Sequence, residues 1–202
     1  MAQRGTKRGN ARVQLIDTAL DLFDRHGFHA VGIDKILSAA GLAKMTLYHH
    51  FDSKEALIVA VLEKRDAAFR EKFTAAVAAV AASAGADAGR AQLFAMFDAI
   101  EAWVRDPAFR GSLFDKAAAE YGEKEHPVKK AVLAHKGWLF GEVRRAAATT
   151  GAADPVKLAA ELFLLMEGAV LAAAVTGDRT AARRAKAAAE TLIAAATLAA
   201  RA

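Results

Sequence analysis

The chain has 202 residues, 54% of them hydrophobic, enough to build a sizeable core without disulfides or a structural metal. It contains no cysteine, which excludes disulfide frameworks, thiol nucleophiles and sulfur-ligated zinc and fits a reducing cytoplasm. The net charge of +5 suits an anionic partner and is densest early, where residues 1–65 hold 10 Lys/Arg against 7 Asp/Glu.

The first twelve residues carry Arg4, Lys7, Arg8 and Arg12 and no acid. No apolar run or cleavage pattern follows, so they read as a basic arm rather than a secretion signal. Three prolines, no strand-like alternation and alanine-rich segments with apolar residues three and four apart predict an all-α fold. Residues 11–26 form an amphipathic helix with Leu15, Ile16, Ala19, Leu20 and Phe23 inward, and Gly27 can stop it in the left-handed conformation. A short second helix over 33–40 follows Gly32, Gly41 turns the chain, and a third short helix covers 43–50. Asp52 or Ser53 can cap a long fourth helix reaching residue 82, with Glu55 spaced for a capping box with Asp52.

The stretch SAGADAG, residues 83–89, reads as a flexible loop before a helix over 90–105. Pro107, Pro127 and Pro155 each suit the first position of a helix, where the missing N–H is harmless. Helices are therefore expected over 107–121, 127–149 and 155–176, and a last one over 180–200 follows Gly177. This gives about nine helices in two parts: residues 1–52, basic and built of short helices, and residues 53–202, a larger bundle joined through the fourth helix. The most apolar segment, 158–175, is broken by Glu161 and Glu167. A carboxylate at bilayer depth costs about 2.5 kcal/mol or more, which argues against a membrane span.

Two short helices joined at a glycine form a helix-turn-helix, whose second helix can enter the major groove of DNA. With Leu47 turned into the small core, successive 100° steps place Phe51 beside it and Met45 and His49 on the opposite face, where they meet base edges. Thr46 and Tyr48 lie on the flanks within reach of phosphates, Lys44 adds charge in the first turn, and Lys54 opens the fourth helix beside another phosphate. Arg4, Lys7 and Arg8 could add groove or backbone contacts.

The stretch LIDTALDLFDRHGFHAVGIDKILSAAGLAKMTLYHHFDSKEALIVAVLE, residues 15–63, resembles the DNA-binding domain of the TetR family of bacterial transcriptional regulators. The resemblance implies operator contacts by Lys44, Met45, Thr46, Tyr48, His49 and Lys54. Many relatives have Ser or Thr where this chain has Gly32, and Ser where it has Ala43, so side-chain capping is weaker here. The resemblance also implies that the remaining helices bind a small-molecule effector and form a homodimer through the last two helices of each subunit.

The residues agree. The helix over 155–176 is apolar almost all round, which implies burial against two surfaces, and the last helix carries a run of alanines that permits close packing. Phe163, Val170, Ala174, Ala185, Ala188, Leu192 and Ala195 are the expected dimer contacts. A two-fold dimer would set its recognition helices about 34 to 36 Å apart on a palindromic operator. Candidate pocket residues are Phe94, Phe97, Trp103, Phe114, Tyr121, His135, Trp138, Phe163, Met166 and Glu167, a set that suits an apolar or amphipathic effector. Glu167, in an otherwise apolar helix, must find a partner, water or a ligand.

No Gly-rich phosphate loop, HExxH or nucleophile elbow is present, and His49 and His50 diverge by about 100° around a helix, so they do not easily share a metal. No catalysis, metal or cofactor is expected. The competing reading is a basic helical protein that binds DNA or an anionic membrane surface without sequence preference.

Overall fold

A computed structural model describes residues 3–81 and 85–199, with the side chains of 3–9, 86 and 199 outside the description. Among the described residues there are nine α-helices and no strand: α1 (Gln3–His26), α2 (Ile33–Ala40), α3 (Lys44–His50), α4 (Lys54–Ala81), α5 (Ala88–Arg105), α6 (Leu113–Glu120), α7 (Pro127–Ala147), α8 (Pro155–Thr176) and α9 (Ala181–Ala199). The all-α expectation holds, with four local differences that have physical causes.

The basic segment continues α1 back to Gln3 rather than forming an irregular arm. Gly5 and Gly9 cost about 1 kcal/mol each inside a helix, a penalty a long helix absorbs. The α4 terminus is capped by Ser53, whose Oγ accepts from the Ala56 N–H at 3.1 Å, and not by a box between Asp52 and Glu55. Residues 85–87 of the expected loop form a 3₁₀ turn, and Ala88 and Gly89 already belong to α5. Gly89 is buried where α5 crosses the end of α7: a Cβ there would lie 2.3 Å from Thr149 Oγ1 and 2.6 Å from the Ala146 carbonyl.

Pro107 does not start a helix. Asp106 ends α5 and accepts the Ala108 N–H at 2.8 Å, while its carbonyl accepts from Phe109 at 2.9 Å, closing a turn. The Arg179 guanidinium donates to the carbonyls of Val104 and Asp106 and lies 5.3 Å from the Phe109 ring centroid. With Gly111 at φ +87, the segment is fixed as a turn, and α6 waits until Leu113. Pro127 and Pro155 do open α7 and α8, and at α8 the Asp154 carboxylate accepts the Lys157 N–H at 2.9 Å.

The helices gather into two compact units, residues 1–67 with 113–135, and residues 68–112 with 136–202. The first buries Leu15, Phe23, Phe28, Ile36, Leu47, Phe51, Leu57 and Ile58 together with Leu113, Phe114, Val128 and Val132. The short helices thus share a core with α6 and the start of α7. The second buries Leu93, Met96, Phe97, Ile100, Val143, Leu158, Leu162, Met166, Ala182, Ala189 and Ile193. Its α8 meets the length and composition of a membrane span, yet packs mainly on α9 and also on α5.

Candidate nucleic-acid interface

The turn between α2 and α3 follows from Gly41, which adopts φ +63 and lets its N–H and that of Leu42 bond the last carbonyls of α2. Gln14 of α1 donates from Nε2 to the Ala40 carbonyl at 2.8 Å, fixing the same end. Neither Gly32 nor Ala43 makes a side-chain capping bond, in line with their residue types. Helix α3 is held by Leu47, fully buried, and Phe51, which closes it in extended conformation.

The opposite face is open. Met45 is 80% exposed and Tyr48 45%, and Lys44 and His49 are exposed beside them, while Thr46 is half-buried. At 80% exposure Met45 contributes almost nothing to the core beneath α3. The His49 and His50 rings meet edge to face at 5.2 Å. Lys54 stands at the start of α4, and its Nζ donates to the Phe28 carbonyl at 2.7 Å. Arg12 lies over the Phe51 ring at 5.2 Å, a cation beside α3 that the arm's composition hinted at but that no periodicity singled out. Arg4, Lys7 and Arg8 lie on the α1 backbone, and their side chains fall outside the described residues.

The residues expected to line a pocket are divided between the two units. Phe114, Tyr121 and His135 belong to the first unit. Phe114 stacks flat on His135 at 3.6 Å, whose Nδ1 sits 2.7 Å from the Asp66 carboxylate. Tyr121 stacks on His126 at 4.8 Å and packs on His29 at 5.0 Å, and burial followed by the nearby Glu55 and Glu120 carboxylates pushes its phenol up. Glu55 moves the other way. Its own backbone N–H, at the start of α4, holds its carboxyl below the usual range, with help from Ser53, His126 and Lys54.

In the second unit Phe97 and Met166 are plain core. Trp103 and Trp138 share Phe69, at 6.1 and 6.3 Å, and Trp138 also meets Phe73 at 5.8 Å under the Arg70 guanidinium at 4.7 Å. Phe69, Arg70 and Phe73 were not among the expected residues, although two aromatics four apart on α4 are a readable helical pair. Phe94 lies under Arg90 and Lys186, Phe163 meets Phe140 at 5.4 Å, and Glu167 is paired with Lys136.

Of the expected dimer contacts, Val170 and Ala185 are buried within the chain's own core, and Phe163 and Leu192 are half-buried against the same core. Helical phase explains the difference: α8 is apolar all round, so composition does not tell its inner face from its outer. Ala174, Ala188 and Ala195 face outward, together with Leu164, Leu171 and Val175 of α8 and Leu198 of α9, which are 70, 56, 75 and 66% exposed.

A short helix held by two core residues, entered through a glycine turn and presenting an open, positively flanked face defines a helix-turn-helix DNA-binding protein. Comparison with known proteins gives the family. Residues 15–61 match the profile "Bacterial regulatory proteins, tetR family", and residues 89–189 match "Tetracyclin repressor-like, C-terminal domain". A TetR-family transcriptional regulator from Streptomyces coelicolor is 34% identical with a TM-score of 0.85, over 94% of this chain and 97% of that one. The chain belongs to the TetR family and is a transcriptional regulator with a helix-turn-helix.

Among curated proteins it is similar to the transcriptional activator FasR of Mycolicibacterium smegmatis, 42% identical over 66 residues, and to the regulator UidR of Escherichia coli, 37% over 70. These matches cover 30 and 33% of this chain, and 30 and 36% of those proteins, so they span about a third of the relatives' length.

Proposed function

We propose that the protein is a cytoplasmic homodimeric repressor that occupies a palindromic operator and is released when a small apolar or amphipathic molecule binds in the larger C-terminal part. The reading rests above all on α3, where Met45, Tyr48 and His49 lie exposed opposite the buried Leu47 and Phe51. Met45 and His49 read base edges; Lys44, Thr46, Tyr48 and Lys54 track phosphates, and Arg4, Lys7 and Arg8 extend the contact. The outward apolar stripe of α8 and α9 supports dimerisation, with Leu164, Leu171 and Val175 at its centre. The aromatic nest of Phe69, Phe73, Trp103 and Trp138 is the apolar surface that supports an effector of that chemistry.

The chain is divided, on this reading, into a DNA-binding part over 1–52 and an effector and dimerisation part over 53–202, with α4 as the link. An effector can release DNA only through its differential affinity for the two conformations. The test is selection of bound duplexes from a random pool, followed by gel-shift competition with random DNA. The selected palindrome should win by about a thousandfold or more. Tyr48→Phe combined with His49→Ala should remove that preference; equal binding to any duplex or to anionic vesicles would favour the non-specific alternative.

A further inference from the structure

Phe28, in the turn between α1 and α2, is held at both of its backbone polar groups. Its N–H donates to Glu120 Oε1 at 2.9 Å, and its carbonyl accepts from Lys54 Nζ at 2.7 Å. The second oxygen of Glu120 accepts the His29 N–H at 2.5 Å. One turn earlier on α6, Lys116 donates to the Asp24 carbonyl at 2.6 Å, so α6 grips the end of α1 as well as the turn that follows. Gly27 has φ +79, and a Cβ there would come within 2.7 Å of Glu120 Oε1. The Phe28 side chain is fully buried, 4.9 Å from the Phe23 ring and 6.1 Å from that of Tyr121.

We propose that Glu120 is a positioning residue for DNA binding, acting through the Phe28 peptide to fix the Lys54 ammonium where it meets a phosphate. The inference rests on the DNA-reading role given to Lys54 above. An ammonium has three donors, so one bond to a carbonyl leaves two for phosphate oxygens. A lysine already tethered loses less rotamer freedom when DNA arrives than one waving in water. Without Glu120 two turn N–H groups lose their acceptor, the Phe28–His29 peptide keeps only the long Val31 N–H bond to its carbonyl at 3.4 Å and the anchor of the buried ring, and the carbonyl that tethers Lys54 is less firmly placed.

Glutamine is the informative replacement. It keeps the shape of Glu120, but its single carbonyl oxygen serves one N–H and its NH₂ faces the other donor. Operator affinity is measured on the selected duplex over a range of salt for wild type, Glu120→Gln, Lys54→Met and the double variant, with hydrogen exchange at Phe28 and His29. Glu120→Gln should speed exchange at those two amides and weaken operator binding by about three- to tenfold, a fraction of one charge-assisted hydrogen bond.

Lys54→Met should weaken binding and lower the salt slope by about one, and adding Glu120→Gln to it should weaken binding no further. Gly27→Ala disturbs the same contact from the turn side and should show the same dependence on Lys54. Additive losses in the double variant, unchanged exchange in Glu120→Gln, or an unchanged salt slope in Lys54→Met would each overturn the proposal. A wild-type protein with no preference for its selected duplex would overturn the DNA reading beneath it as well.

Discussion

Leu171 tests the proposed dimer face most directly, because it is 56% exposed and lies between Leu164 and Val175 on α8. Burying a whole leucine stabilises by about 2 kcal/mol, so covering the exposed half of Leu171 is worth about 1 kcal/mol per protomer. A two-fold interface uses the same patch twice, giving about 2 kcal/mol, or roughly thirtyfold in the dimer constant. Leu171→Glu should lose at least that much, since it also places two carboxylates in an apolar contact. Sedimentation through a dilution series reads the dimer constant, and thermal unfolding of the dissociated protein should hardly change. Val170→Ala should behave in the opposite way, destabilising the protomer by about 1 kcal/mol because Val170 is buried in its own core. A dimer constant for Leu171→Glu within about threefold of wild type would refute the assignment of this face.

Gly89→Ala should lower stability by about 1–3 kcal/mol through overpacking on Thr149 and the Ala146 carbonyl, less a gain of about 0.5–1 kcal/mol in helix propensity. The net, up to about 2.5 kcal/mol or a melting temperature lower by up to about 10 °C, is read by calorimetry, and a stabilised variant would show that α5 and α7 are not so close. Ser53→Ala should cost about 1 kcal/mol in chemical denaturation by removing the α4 cap. Asp178, held at about 2 by the Thr180 hydroxyl and N–H and by Arg184, stabilises the fold above the unfolded carboxyl range. That contribution is lost as pH falls from about 4 towards 2, so Asp178→Asn should flatten the acid limb of a stability profile over that window and leave neutral stability lower. An acid limb of unchanged shape would contradict the assignment.

The two faces of α3 were legible because helical phase converts one buried residue into a map: once Leu47 points inward, Met45 and His49 have no choice of face, while Phe51 reaches the core from the extended residue that ends the helix. The proline starts at α7 and α8 were legible for a similar reason, since the proline acts within its own turn. Pro107 misled because its conformation is decided by Arg179, more than seventy residues away, which ties the Val104 and Asp106 carbonyls into a turn. The contacts of Glu120 were hidden in the same way: its partners, Phe28 and His29, are some ninety residues distant, and nothing local marks a helix-end carboxylate as the acceptor for a remote turn. The outer face of α8 was illegible for want of contrast, since a helix apolar on all sides carries no phase.

The first unit is discontinuous along the chain, and this sets an order on its birth. During synthesis residues 1–67 leave the ribosome before Leu113, Phe114, Val128 and Val132, which complete their core, have been made. At roughly 5–20 residues per second the nascent helix-turn-helix waits several seconds with Phe28 lacking its cover and its turn lacking Glu120. For that interval α3 lacks the finished core beneath it, and on the proposed reading operator binding waits until residues 113–135 have emerged. The same discontinuity limits exchange of parts between regulators: a swap at one junction after α4 would separate the turn from its acceptor, and a transplanted head would need residues 113–135 to travel with it.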